Sequence, residues 1–369
     1  MRRRRFPRSA SSSNACSPRC NSQGTHPMIY PWQTDDWNRL QQLRAQWPHA
    51  LLLHGQAGIG KLQFAQHLAQ GFLCESPQPN GEPCGACAAC TWFSQGNHPD
   101  YRIVLPEALA GEAPGAADDT KAADADEGGK KARAPSKEIK IEQVRALLDF
   151  CGVGSHRGGA RVVVLYPAEA LNVAASNALL KTLEEPPSGV VFLLVSARID
   201  RLLPTIISRC RQWPMTVPAP DAAAAWLAAQ GVEHAPALLA EAGGAPLAAL
   251  ALASDENRPL RDYTLGQLAA GAACDPFACG ETLQKLPVPL VLGWLQRWLY
   301  DLLAQRMAGA PRYFPMHASA LARCAEAVDA NAFARFMKAV TRQRTVENHP
   351  LNARLVFEEL FLGYREMFA

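Results

Sequence analysis

A mostly apolar segment, Ala50-Leu-Leu-Leu-His54, runs straight into Gly55-Gln-Ala-Gly-Ile-Gly-Lys61, and helix-forming residues continue through about Phe72. The order strand, glycine-rich loop, helix gives such a loop its physical meaning, because backbone N–H groups at the start of the helix can then turn toward phosphate oxygens. Gly55, Gly58 and Gly60 provide the turn, and Lys61 stands where an amine reaches the β- and γ-phosphates. The next position requires Ser or Thr to hold Mg²⁺, and here it is Leu62, which ligates nothing. Two readings follow: weak nucleotide binding, or a loop retained as a turn, and the second is preferred. A productive ATP/Mg²⁺ site is not expected.

Further apolar strands are expected at Tyr101–Val104, Arg161–Leu165 and Val190–Val195, with helical spacing at Ile141–Cys151 and Asn172–Glu184 between them. Strands alternating with helices imply a parallel sheet covered on both faces. A short helix capped by an Asp is expected from Asp35. Past Pro218 the strands stop. Short Ala/Leu helices fill 219–268, broken at Gly231, Gly243, Gly244 and Pro246, and longer amphipathic helices follow at Pro289–Ala304, Asn331–Val346 and Leu351–Arg365. Three domains are therefore expected: α/β over 28–218, a small helical one over 219–270, and a larger helical one over 271–369.

The strand Arg161–Leu165 ends in Tyr166-Pro167, where a hydrolysing phosphate-loop enzyme places an Asp for the metal and a Glu for water. A phenol and a proline do neither. Glu169 lies two residues on and is read as a surface acid.

Four of the eleven cysteines, Cys74, Cys84, Cys87 and Cys90, fall within 17 positions. Two overlapping C-x-x-C pairs with an upstream partner can close a tetrahedral Zn²⁺ shell, and a full set of four thiolates leaves no open position, so the site (74–90) is structural. His98 is an alternative ligand, read here as a loop residue. Clustered thiols also favour a reducing compartment over a disulfide framework.

The net charge of +3 hides two regions. Residues 1–27 carry six arginines (Arg2, Arg3, Arg4, Arg5, Arg8, Arg19) and no acid, which leaves the rest at −3. A body of that sign is no general nucleic-acid glove. The leader reads as disordered, either an organellar transit peptide or residues upstream of a true start at Met28. Residues 106–137 hold seven acids and five bases in an Ala/Gly/Pro-rich stretch, expected as a solvated insertion. No apolar run approaches the roughly 20 residues of a membrane span.

Asn177-Ala-Leu-Leu-Lys-Thr-Leu-Glu-Glu-Pro-Pro187, Ser208-Arg209-Cys210, and the cysteine module between the loop helix and a His-Pro-Asp-Tyr strand together resemble the bacterial clamp-loader subunits of DNA polymerase III, over about 28–369 and most strongly over 50–215. That family is AAA+: an α/β domain with an inserted Cys₄ zinc module, a helical lid and an all-α collar. It contains ATP-hydrolysing members, gamma and tau, and a non-hydrolysing delta prime type. Leu62, Tyr166 and Pro167 align this chain with the latter, as does the Gly244–Leu247 stretch, where Leu247 or a neighbour stands in place of the nucleotide-sensing arginine of hydrolysing members. The Met28-Ile-Tyr-Pro-Trp32 opening also looks like the start of such a subunit, which favours Met28 as the first residue and a bacterial cytoplasm. The resemblance implies that Arg209, within its Ser208 and Cys210 turn, is given in trans to the ATP site of a neighbouring gamma/tau subunit. It also implies partnership with the delta subunit, and with the sliding clamp and primed DNA through the assembled complex. Two rival readings are a competent gamma/tau-like ATPase and a zinc-ribbon nucleic-acid-binding module.

Overall fold

The computed structural model describes residues 29–110, 135–156, 158–343 and 352–368; the expectations for the leader and for the centre of the 106–137 insertion lie outside them. Five strands, β1 (Ala50–His54), β2 (Tyr101–Val104), β3 (Arg161–Leu165), β4 (Val190–Ser196) and β5 (Arg211–Pro214), form one parallel sheet in the order β2-β3-β4-β1-β5. β5 is absent from the sequence expectations for a physical reason. It is an edge strand, and of Arg-Gln-Trp-Pro only Trp213 is buried, so it lacks the apolar run of its neighbours.

Connection direction decides where helices go. α1 (Thr34–Gln41) precedes the sheet, and α2 (Lys61–Leu73) with α3 (Ala88–Ser94) joins β1 to β2. The return steps carry α4 (Ile141–Gly152), α5 (Val173–Glu184) and α6 (Pro204–Ile207). Right-handed crossovers put opposite directions on opposite faces. Accordingly Leu51, Leu53, Val162, Val164 and Leu193 pack with Phe64 and Leu68 of α2. Their alternate neighbours Leu52, Val163, Phe192 and Leu194 pack with Leu147, Leu179 and Leu183 of α4 and α5. Adjacent β1 and β4 thus send their chains to opposite faces, creating the crevice at strand ends where α/β sheets bind ligands.

Local chemistry sets the helix ends. Asn172 caps α5 by accepting from Ala175 N–H at 2.8 Å, and Pro186 with Pro187 prevents continuation. The Asp cap expected for α1 is not there: the helix begins at Thr34 with Gln33 as its cap residue. Asp35 and Asp36 sit inside the first turn, where the helix dipole favours them. The ends of the insertion are tied together, Ala108 N–H donating to Ser136 O at 3.0 Å and Lys140 pairing with Glu107 at 2.5 Å.

Beyond the sheet, α7 (Pro220–Ala229), α8 (Ala235–Glu241) and α9 (Pro246–Ala253) enclose a small core of Ala223, Leu227, Leu238, Leu239 and Ala249. The next helix, α10 (Arg258–Ala269), falls in the small domain by composition but not by packing. Its Leu265 and Leu268 enter the C-terminal core, so the larger helical unit begins before residue 270. That unit continues through α11 (Pro276–Leu283), α12 (Val288–Ala308), α13 (Ala318–Ala327), α14 (Ala330–Gln343) and α15 (Ala353–Arg365). Trp298 Nε1 donates to Tyr364 Oη at 2.9 Å, which donates to Leu268 O at 2.6 Å, stitching α12, α15 and α10. Asp301, fully buried on α12, accepts from the backbone N–H groups of Arg312, Tyr313 and Phe314 at 2.7 to 3.0 Å.

Candidate functional site

The glycine loop has the backbone of a phosphate cradle, yet its own chain occupies the approaches. Gly58 (φ +78°) and Gly60 (φ +89°) hold conformations that L side chains rarely adopt. A Cβ on Gly58 would lie 2.8 Å from Ala248 Cβ, and one on Gly60 2.5 Å from the Tyr30 ring. Leu247 N–H donates to Gly58 O at 2.9 Å. Gln56 Nε2 donates to the carbonyls of Ala242 and Gly243, each at 3.1 Å, fastening the loop to the α8–α9 turn. On the other side Gln33 Nε2 reaches the carbonyls of Ile59 (3.0 Å) and Gly60 (2.9 Å), and Trp32 Nε1 reaches Ile59 O at 3.0 Å.

Lys61 is buried, and its Nζ donates to Gln56 O at 2.5 Å, inside the loop itself. Burial pushes its ammonium down to about 8, opposed by the Glu169 carboxylate. A cavity of about 240 Å³ opens here, lined by Lys61, Leu62, Leu105, Tyr166, Ala197 and Leu247 among others. None of the residues lining it is an acid, a Ser or a Thr. Glu169 corrects the surface-acid reading. It lies on a single turn, Ala168–Ala170, that folds back beside β4, so it is half-buried and its Oε1 accepts from Ala197 N–H at 3.0 Å. Its partner is a backbone group 28 residues away, which local spacing does not reveal.

The sulfurs of Cys74, Cys84, Cys87 and Cys90 all lie within 4.8 Å of one another. A tetrahedral shell with Zn–S bonds near 2.3 Å has edges of about 3.8 Å, and the Cys74–Cys87 separation is 3.9 Å. Backbone N–H groups point at the sulfurs: Cys84 N to Cys74 Sγ at 3.3 Å, Cys87 N to Cys84 Sγ and Cys90 N to Cys87 Sγ at 3.4 Å. Such donors favour thiolates, and those from Ala86 and Cys87 draw the Cys84 thiol down to about 6, whereas burial pushes the Cys74 and Cys90 thiols up. The residues fit a metal. His98 is not in the group; it is buried in the following loop, where Nδ1 accepts from Asp100 N–H at 3.1 Å.

Ser208-Arg209-Cys210 divides its work. Cys210 is buried in the core with Leu183 and Ile206, which pushes its thiol up to about 12 and makes it an anchor rather than a reagent. Ser208 Oγ donates to Thr205 O at 3.1 Å, closing the end of α6. Arg209 projects beyond these two, with its side chain partly exposed. It pairs with Glu184, a residue of the Asn177–Pro187 motif for which sequence reasoning assigns no role.

A family model described as "DNA polymerase III, delta subunit" matches residues 32–218. The DNA polymerase III subunit delta prime of Pseudomonas aeruginosa is 39% identical over 287 residues, covering 76% of this chain and 78% of that protein. The chain belongs to the DNA polymerase III delta prime family. The delta prime subunit of Escherichia coli K12 is 31% identical over the same 287-residue length, again 76% of this chain and 78% of its own. Tau of Salmonella typhimurium shares 34% identity over a shorter 165 residues, 45% of this chain and 21% of tau.

Proposed function

We propose that this delta prime family member is a non-hydrolysing subunit of the bacterial cytoplasmic clamp loader. It supports ATP-dependent loading of the sliding clamp by completing a neighbour's active site. The observation that carries the reading is the loop itself: Lys61 donates to Gln56 O within it, and the cavity beside it is lined by Leu62 and offers magnesium no carboxylate or aliphatic hydroxyl. A loop in that state binds no nucleotide productively, while the turn of Ser208 and Cys210 holds Arg209 outward. An arginine so placed serves in trans, where its permanent charge and planar fork meet a transferring phosphoryl group. The AAA+ description, with α7–α9 as lid and the C-terminal helices as collar, belongs to the same reading. So do its partners: gamma/tau subunits, the delta subunit, and the clamp with primed DNA through the assembled ring.

Cys74, Cys84, Cys87 and Cys90 would hold a structural Zn²⁺, which supplies cross-linking to a short segment and no chemistry. Metal analysis of the purified chain should find one zinc per chain, lost in Cys87→Ser.

The isolated chain should turn over no ATP and should copurify with the other loader subunits. In the reconstituted loader, Arg209→Ala should lower DNA-stimulated ATP turnover and leave assembly intact. Turnover by the isolated chain that Lys61→Ala abolishes would instead make it an ATPase. Unchanged turnover in the Arg209→Ala complex would remove the trans role.

A further inference from the structure

Glu184 ends α5 and Arg209 follows α6, 25 residues apart in sequence, and their side chains meet at the surface. Arg209 Nε donates to Glu184 Oε1 at 2.9 Å, and Nη2 donates to the same oxygen. Nη1 donates to Thr205 O at 2.8 Å. A guanidinium has five N–H donors. These bonds use three, one on each nitrogen; the second Nη1 donor reaches Ser208 Oγ at 3.5 Å, which leaves the outer Nη2 donor directed elsewhere. The side chain is therefore gripped on one edge by a carboxylate and on another by a helix-end carbonyl. An arginine without such partners keeps the rotamer freedom of a long, flexible stem.

We propose that Glu184 is a positioning residue: it orients the Arg209 guanidinium so that its outer edge, with the remaining Nη2 donor, faces an incoming anion, which on the reading given above is the phosphoryl group in the neighbour's ATP site. The carboxylate lies at the end of a helix whose Leu179 and Leu183 are locked in the sheet core, so its position is set by rigid structure. Cys210 fixes the arginine's backbone in that same core. Both ends of the pair are thus referenced to one packed face. With Glu184 about half exposed, the pair contributes little to folding, and its effect falls on the geometry of the guanidinium.

The test is steady-state ATP hydrolysis by the reconstituted loader with clamp and primed DNA. Glu184→Gln should lower kcat about fivefold, the ratio an exposed pair of this kind can supply, with KM for ATP unchanged. Glu184→Asp should recover part of the loss. In an Arg209→Ala background, Glu184→Gln should have no further effect. If Arg209→Ala lowers turnover but Glu184→Gln does not, the positioning role is wrong and the trans arginine stands. If neither substitution matters, the trans arginine itself fails. A rise in kcat in Glu184→Gln would make the pair a restraint, and an equal loss in both backgrounds would show Glu184 acting independently of Arg209. Either result overturns the proposal.

Discussion

Lys61 gives up its proton near pH 8 in the folded chain and near 10.5 in the unfolded one. Between those values the unfolded chain binds more protons, so stability rises with pH across that window, and the cost of burying the charge is fully present below it. Lys61→Met removes the charge. Its denaturation midpoint should gain on the wild type at about pH 7.5, and the advantage should shrink by about pH 10. The lost bond to Gln56 O is a pH-independent offset and does not alter that trend. Leu62, Tyr166 and Pro167 were legible in the sequence as departures, because a hydrolysing phosphate-loop enzyme prescribes the residue type after its loop lysine and at the end of this strand. Glu169 and Glu184 were not, since their partners, Ala197 N–H and Arg209, are brought to them only by the β3–β4 and α5–α6 packing.

Secondary elements buried on both faces declared themselves by apolar runs, as β1, β3 and β4 did, whereas the edge strand β5 with one buried side chain did not. Composition likewise assigned α10 to the small domain, because the Leu residues of a helix do not say which neighbour will receive them. The loop between α12 and α13 shows a further limit. Asp301 sits in the middle of an apolar helix, and nothing local marks it as the acceptor for the N–H groups of Arg312, Tyr313 and Phe314. Replacing it by Ala leaves three donors without their acceptor and should cost about 2–4 kcal/mol. Asp301→Asn, keeping one oxygen, should cost less. Chemical denaturation followed by circular dichroism would rank the two.

For the molecule as a whole, the contacts that fix the α7–α9 unit to the sheet include Leu247 N–H on Gly58 O, Gln56 on the Ala242 and Gly243 carbonyls, Ala245 in the sheet core, and an aromatic cluster. In that cluster Tyr30 stacks on Trp32 at 4.8 Å, and Trp226 of α7 meets both edge-on, at 5.7 and 5.3 Å. Trp226→Ala should loosen the unit while leaving the Leu247–Gly58 bond partners themselves in place, and hydrogen exchange at the Leu247 amide should accelerate by about tenfold if roughly 1.4 kcal/mol of docking is lost. The same cluster has an optical consequence. Two indoles 5.3 Å apart with rings at 89° couple their electronic transitions, and one belongs to the sheet's approach and the other to the helical unit. Any swing of one against the other would change that coupling, so the chain carries a built-in near-ultraviolet chiroptical gauge of how these two parts sit together.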